Sequence, residues 1–165
     1  MSINPDDILI RTHLKPGDLG YIAYLHGKIY AEENEYTLSF ERYVLEGLSV
    51  FAASYNIKKD RIWICEHSEK IIGSLVAFHS ELGLQLRFFL ISTEYRGLGL
   101  GNILMKNFIE FMHEKKYSHS FLWTTHEQVL ASKLYMKYGF RFTEEKESSA
   151  FGKNLKEQRF DLFLC

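Results

Sequence analysis

Three glycines fall within five residues, Gly97 to Gly101, and they separate two runs of opposite periodicity. Before them, Leu84 to Ile91 is an almost unbroken hydrophobic run, the pattern of a strand buried in the middle of a sheet. After them, Asn102 to Lys116 carries Leu104, Phe108, Phe111 and Met112 at helical spacing. A strand that ends in a glycine turn and passes at once into a helix points the turn's N–H groups and the positive end of the helix dipole into one concavity. Glycine suits such a site because a Cβ would hold phosphate oxygens away from the backbone nitrogens, and because the turn calls for positive φ. The ligand expected there is a phosphate or pyrophosphate.

Spacing narrows the ligand. A nucleoside-triphosphate loop needs Gly-Lys followed by Ser or Thr, whereas Gly101 is followed by Asn102 and Ile103. A dinucleotide fingerprint starting at Gly97 and Gly99 would need its third glycine at Asn102, and the chain lacks the strand-first βαβ opening.

The same periodicity reading extends along the chain. Strands are expected at Asp7 to His13, Arg61 to Glu66, Lys70 to Phe78, Leu84 to Ile91, Ser120 to Thr124, Phe140 to Glu145 and Gln158 to Leu164. Helices are expected at Leu19 to Ala31 with Asp18 as its cap, Ser39 to Tyr55, Asn102 to Lys116 and Glu127 to Tyr138. In the second helix Phe40, Tyr43, Val44, Leu48 and Phe51 form one buried stripe. The order is β-α-α-β-β-β-α-β-α-β-β, with Leu84 to Ile91 placed centrally and His67-Ser68-Glu69 turning a hairpin. At 165 residues, 46% hydrophobic, the chain can bury one substantial core but is short for two, so residues 1–165 are expected to form one domain.

Twenty Lys and Arg against twenty-one Asp and Glu, without a basic run, leave no electrostatic footprint for nucleic acid. No apolar stretch approaches the roughly 18 residues of a membrane span, and Met1 to Asp7 is polar and acidic, unlike a secretory signal. A cytoplasmic protein without membrane or nucleic-acid partners is expected. Cys65 and Cys165 lack metal or redox spacing and read as plain thiols; no metal site is expected.

The run Arg96-Gly97-Leu98-Gly99-Leu100-Gly101 spells R-x-x-G-x-G, and here the sequence resembles the GNAT superfamily of acetyl-coenzyme A-dependent N-acetyltransferases. Leu134-Tyr135-Met136-Lys137-Tyr138-Gly139-Phe140 resembles that family's second signature, a helix carrying L-Y-x-x-x-G-F. The stretches from His26 to Tyr30, Leu122 to Thr124 and Phe151 to Leu155 with Gln158 look like the acetyltransferase half of MarR-type regulator fusions, whose DNA-binding half has no counterpart here.

The resemblance implies an α/β (α+β) domain with a mixed, mostly antiparallel sheet of about six to seven strands flanked by about four helices. It implies acetyl-CoA as the acetyl donor and a small-molecule primary amine as acceptor, attacked directly through a tetrahedral intermediate, and it leaves a homodimer open. Main-chain groups of Phe89, Leu90 and Ile91 would take the pantetheine arm, their side chains remaining core. Arg96, Gly97, Leu98, Gly99, Leu100, Gly101 and Asn102 would hold the pyrophosphate. Gln128 stands where the family commonly has Asn, and shares a helix face with Ala131 and Tyr135. Tyr135 resembles the acid that protonates the departing thiolate. His26, Tyr30, Glu33, Trp123 and His126 are candidates for the acceptor pocket.

The family's usual base positions hold Gln85 and Trp123, neither of which accepts a proton. His126 and Glu127 are the substitutes the sequence offers. Weak base assistance favours α-amines, unperturbed pKa roughly 7.7 to 8.0, over lysine ε-amines near about 10.4. Two alternatives stay open: a non-catalytic acyl-CoA-binding module, and a protein N-terminal or lysine acetyltransferase.

Overall fold

The computed structural model describes residues 2–165, so Met1 of the polar opening lies outside it. The elements follow the expected order: β1 (Leu9–Arg11), α1 (Asp18–Asn34), α2 (Leu38–Ser54), β2 (Arg61–His67), β3 (Lys70–Ser80), β4 (Gly83–Ile91), α3 (Leu100–Lys115), β5 (His119–Thr125), α4 (Val129–Lys137), β6 (Arg141–Ser148) and β7 (Leu155–Phe163). The strands make one seven-stranded sheet in the order β1-β2-β3-β4-β5-β7-β6, with β4 at its centre. Every neighbouring pair is antiparallel except β4 and β5.

Departures from the expected boundaries have local causes. The first strand shrinks to three residues because Pro5–Asp7 turn in a 3-10 helix capped by Asn4. Asp18 is not the cap of α1; Gly17 holds that position at φ 95°. The Asp18 carboxylate accepts Lys15 N–H (2.7 Å) and both terminal nitrogens of Arg11 (2.7 Å each), and Arg11 also reaches Glu66 (2.6 Å). That ion-pair cluster ties the start of α1 to β1 and β2. Helix α4 begins at Val129 rather than Glu127 because Gln128 N–H closes a turn on Thr125 O (3.0 Å). Strand β7 begins at Leu155, ahead of the expected Gln158.

The sheet is covered on both faces. On one face α3 and α4 bury Leu104, Met105, Phe108, Phe111, Met112 and Tyr135 against Trp63, Leu75, Leu84, Leu86, Leu122 and Phe160. On the other, α1 and α2 bury Ile22, Ala23, Phe40, Val44, Leu48 and Phe51 against Ile62, Ile64, Val76 and Phe88. The expected α2 stripe is buried except for Tyr43, which stays 39% exposed at its rim. Cys65 sits in the first core, where burial pushes its thiol up to about 12. The edge strand β6 is exposed and charged along most of its length, which discourages edge-to-edge pairing.

Two irregularities at the centre matter most. The β3–β4 register shifts between Ser74 and Val76, and Phe88 takes a left-handed φ of 48°. This bulge reverses the phase of β4. Leu84 and Leu86 pack under α3, whereas beyond the bulge Phe88 and Leu90 pack toward α1 and α2, and Phe89 and Ile91 turn to the α3 side. Ser74 holds the bulge, its hydroxyl donating to Phe88 O (2.7 Å). The second irregularity is that β4 and β5 pair only at Leu84–Ser120 and Gln85–Phe121. Past that point they diverge and leave a gap in the middle of the sheet.

Candidate active site

The gap between β4 and β5 opens onto two cavities. One, on the glycine-loop side, is lined by Phe89, Leu90, Ile91, Arg96, Gly97, Gly99, Leu100, Gly101, Asn102 and the α4 residues Ala131, Leu134 and Tyr135. The other lies toward α1 and α2 and is lined by His26, Tyr30, Tyr36, Phe40, Gln85, Arg87, Trp123, Phe151 and Glu157 among others. Tyr30, Phe89, Thr124, Gln128 and Tyr135 line both, so the two cavities meet there.

The glycine loop has the geometry of an anion cradle. Gly99 caps α3 in the left-handed region (φ 85°), Gly97 also has positive φ (79°), and a Cβ on either would stand in open space. The first backbone bond of α3 runs from Ile103 N–H to Gly99 O (3.1 Å), which leaves the N–H groups of Leu100, Gly101 and Asn102 without intrahelical acceptors. A ligand phosphate fits this arrangement. Gly101 has a different reason to be bare: its φ is ordinary, and a Cβ there would meet Leu134 Cδ2 at 3.1 Å, so it sets how closely α3 approaches α4. Asn102 is tied to α4, its side-chain oxygen accepting Lys137 Nζ (2.6 Å) and Tyr138 OH (2.9 Å). Leu98 stands between the two left-handed glycines.

Beside the cradle, Arg96 donates to Ile91 O (2.9 Å) and to Glu33 (2.8 Å), and Thr93 also donates to Glu33 (2.9 Å). Glu33 thus lines the glycine-loop cavity and not the second one. Ser92 N–H bonds Ile72 O on β3, so by strand alternation the main chain of Leu90 faces β3 while Ile91 and Phe89 face the gap. The side chains of Phe89 and Ile91 pack on the core, as expected.

Tyr135 is 6% exposed, and its ring lies 6.1 Å from that of Phe89. Burial raises its phenol far above the ordinary range, with a small further push from Tyr30, so it stays protonated. Gln128 precedes α4 and donates to Asn34 Oδ1 (3.0 Å), tying the cavity junction to the end of α1.

The acceptor-pocket candidates divide. His26, Tyr30 and Trp123 line the second cavity. The His26 ring is stacked against Tyr30, edge-on to Phe88, and its Nδ1 donates to Ile22 O (2.8 Å). Since a carbonyl only accepts, the neutral ring carries its lone pair at Nε2. Burial lowers its pKa to about 4, against a smaller opposite effect of the Ile22 bond. His126 lines neither cavity; its Nδ1 accepts Lys156 N–H (3.0 Å). Glu127 is held by Lys153 (3.1 Å) and Asn34 (3.3 Å), and lines the glycine-loop cavity. Neither residue lines the second cavity.

Two charged residues of the second cavity carried no signal in the sequence. Glu157 stands on β7 opposite Thr125, and Arg87 stands on β4 just before the bulge. Each occupies an ordinary strand position with no motif around it, and only the pairing of β5 with β7 and the bulge bring them to this cavity.

The chain matches the acetyltransferase (GNAT) family over residues 21–140. Human N-acetyltransferase 8B is 31% identical over 87 residues, which cover 49% of this chain and 38% of the human protein, so the match spans well under half of that relative's length. Two solved structures share the fold across nearly the whole chain. A GNAT family acetyltransferase from Elizabethkingia anophelis with acetyl-CoA bound is 17% identical with a TM-score of 0.64, covering 96% of this chain and 99% of that one. The spermidine N-acetyltransferase of Vibrio cholerae in complex with CoA and spermine is 18% identical with a TM-score of 0.69, covering 96% of each. A split sheet with a bulged central strand, a glycine turn on a helix N-terminus and a tyrosine at the junction of two cavities coincide with that match, and the chain belongs to the acetyltransferase (GNAT) family.

Proposed function

We propose that this chain transfers the acetyl group of acetyl-CoA to the primary amine of a small molecule, with an α-amine preferred. The observation that carries this reading is the meeting of a phosphate-cradling groove and a separate aromatic cavity at Tyr135. Acetyl-CoA supplies an activated thioester. The N–H groups of Leu100, Gly101 and Asn102 hold its pyrophosphate, and the gap-facing main chain of Phe89 and Ile91 aligns its arm like an added strand. The acceptor nitrogen enters from the aromatic side. The neutral amine attacks the thioester carbonyl to form the C–N bond of a tetrahedral intermediate, and its proton leaves toward the acceptor cavity. Collapse of the intermediate breaks the C–S bond as Tyr135 gives its proton to the departing sulfur, and Tyr135 is reprotonated from solvent when the products leave.

For the amine's proton, Glu157 is the one carboxylate among the residues lining the acceptor cavity, and we assign it that role. Its presence tells against a non-catalytic binding module, a reading that rested on carboxylates missing from the usual positions. The small size of the cavity, about 100 Å³, and its aromatic lining by Tyr30, Tyr36, Phe40 and Phe151 favour a small acceptor over a peptide. A cytoplasmic location stays part of the proposal on composition alone. The narrower likeness to MarR-type fusions rests on the sequence stretches alone. Acetyl-CoA consumption measured against amino acids, polyamines, aminoglycosides and peptides tests the proposal. Turnover with a small amine that falls at least about 10²-fold in Glu157→Gln is expected. Acetyl-CoA binding without turnover on any amine would return the chain to the binding-module class.

A further inference from the structure

The acceptor cavity has a cation in its wall that the transfer reaction does not use. Arg87 is partly buried, and its guanidinium lies over the ring of Phe88 (4.6 Å) and near that of Tyr43 (5.7 Å). It is also seated against α2 at Gly47: a Cβ on Gly47 would stand 2.6 Å from Arg87 Nη2 and 3.1 Å from its Cζ. A bare position in a buried helix face, opposite a guanidinium, fixes where the charge sits. Arg11, Arg42, Arg96 and Arg159 each have a carboxylate partner, whereas Arg61, Arg87 and Arg141 have none within 4.0 Å among the described residues, and of these three Arg87 alone lines the acceptor cavity. A guanidinium is always charged, and a partly dehydrated one with no counter-charge is costly unless a ligand supplies it.

We infer that Arg87 is the specificity residue of the acceptor cavity and takes the carboxylate of an amino-acid-like acceptor. The inference rests on the transferase reading of the same cavity and adds the substrate class. Arg87 and Glu157 give that cavity one cation and one anion, the complement of a molecule bearing a carboxylate and an amine. The planar fork suits bidentate capture of a carboxylate, and the surrounding Tyr30, Tyr36, Phe40, Tyr43 and Phe151 suit an apolar or aromatic side chain beyond it. A polyamine, cationic along its length, would meet Arg87 as a like charge.

The test compares phenylalanine, tyrosine and leucine with their amides, which keep the α-amine and side chain but lose the negative charge, in wild type, Arg87→Gln and Arg87→Lys. The amide's amine is the less basic, so a preference for the acid runs against intrinsic reactivity. Wild type should favour the acids by about 10²-fold in kcat/KM, the usual scale for a charge-assisted bidentate contact. Arg87→Gln should collapse that ratio through KM, and Arg87→Lys should restore only part of it, having the charge without the fork. Equal use of acids and amides, unchanged in Arg87→Gln, or turnover confined to polyamines, would overturn the inference and leave the transferase reading standing. If nothing is acetylated, calorimetry with N-acetylphenylalanine in the presence of CoA decides. Arg87-dependent binding would uphold the carboxylate site while counting against transfer, and no binding to folded wild type would overturn the inference.

Discussion

The ring of Tyr135 lies 6.1 Å from that of Phe89, where the glycine-loop cavity and the acceptor cavity join. Helix α4 and the bulged strand β4 therefore meet where reacting atoms from the two sides must converge. Tyr135→Phe keeps the ring and its packing against Phe140 and Phe160 while removing the hydroxyl. Turnover should fall by roughly 10²-fold or more with acetyl-CoA affinity nearly unchanged. Single-turnover kinetics and calorimetry check both halves; wild-type turnover in a folded Phe variant would make Tyr135 a packing residue only.

The three loop glycines should respond differently. Gly99→Ala places a Cβ at φ 85° and projects it into the cradle, so acetyl-CoA affinity should drop at least about tenfold for a stability loss of roughly 1–2 kcal/mol. Gly101→Val presses on Leu134 at the α3–α4 contact and should lose stability as well as binding. Calorimetry and melting on both variants separate the effects, and equal affinity in folded Gly99→Ala would refute the cradle.

Acceptor selectivity should follow amine basicity. A lysine ε-amine must lose its proton at a cost of about 1.4 kcal/mol per pKa unit, so α-amines should be acetylated in preference to lysine side chains at pH 7. Competition between an α-amine and an Nα-blocked lysine, read by mass spectrometry, is decisive, and preferential labelling of the blocked lysine would contradict it.

His26 should make folding stability depend on pH. Its folded pKa of about 4 lies below the ordinary 6.5, so between those values the unfolded chain takes up a proton that the folded chain refuses. Stability is full above about pH 7, falls as pH drops toward 4, and the loss reaches up to about 3 kcal/mol. Urea midpoints from pH 7.5 to 4 should show this slope in wild type, flattened in His26→Gln.

Next to Phe151, Gly152 has φ 85°, and a Cβ there would meet Thr37 Cβ at 2.7 Å and crowd its hydroxyl and methyl. Thr37 caps α2, accepting Ser39 N–H through its side chain, while its own N–H bonds Phe151 O (3.0 Å). Gly152→Ala should therefore cost about 2–4 kcal/mol, visible as a lowered denaturation midpoint. A midpoint unchanged from wild type would show that this junction yields.

Most of what depends on neighbours along the chain was legible without the fold, the cap of α1 at Gly17 rather than Asp18 being an exception. Helical and strand periods located all eleven elements, because burial on one face imprints period 3.6 or 2 on the sequence. The glycine turn into α3, with its free N–H groups, was legible for the same reason, since strand end, turn and helix start are consecutive along the chain. The acceptor cavity belongs to the tertiary structure. His26 comes from α1, Arg87 from β4, Tyr135 from α4 and Glu157 from β7, and no spacing links them. His126 and Glu127 looked available from sequence, yet Lys156 N–H and the Lys153–Asn34 pair already engage them. Alternation along β4 places residues on two faces, but the bulge at Phe88 reverses the phase midway, and its cause is a register shift against β3, a strand formed by other residues. Period carries information about a face; which partner lies across that face is settled only when the sheet closes and then splits between β4 and β5.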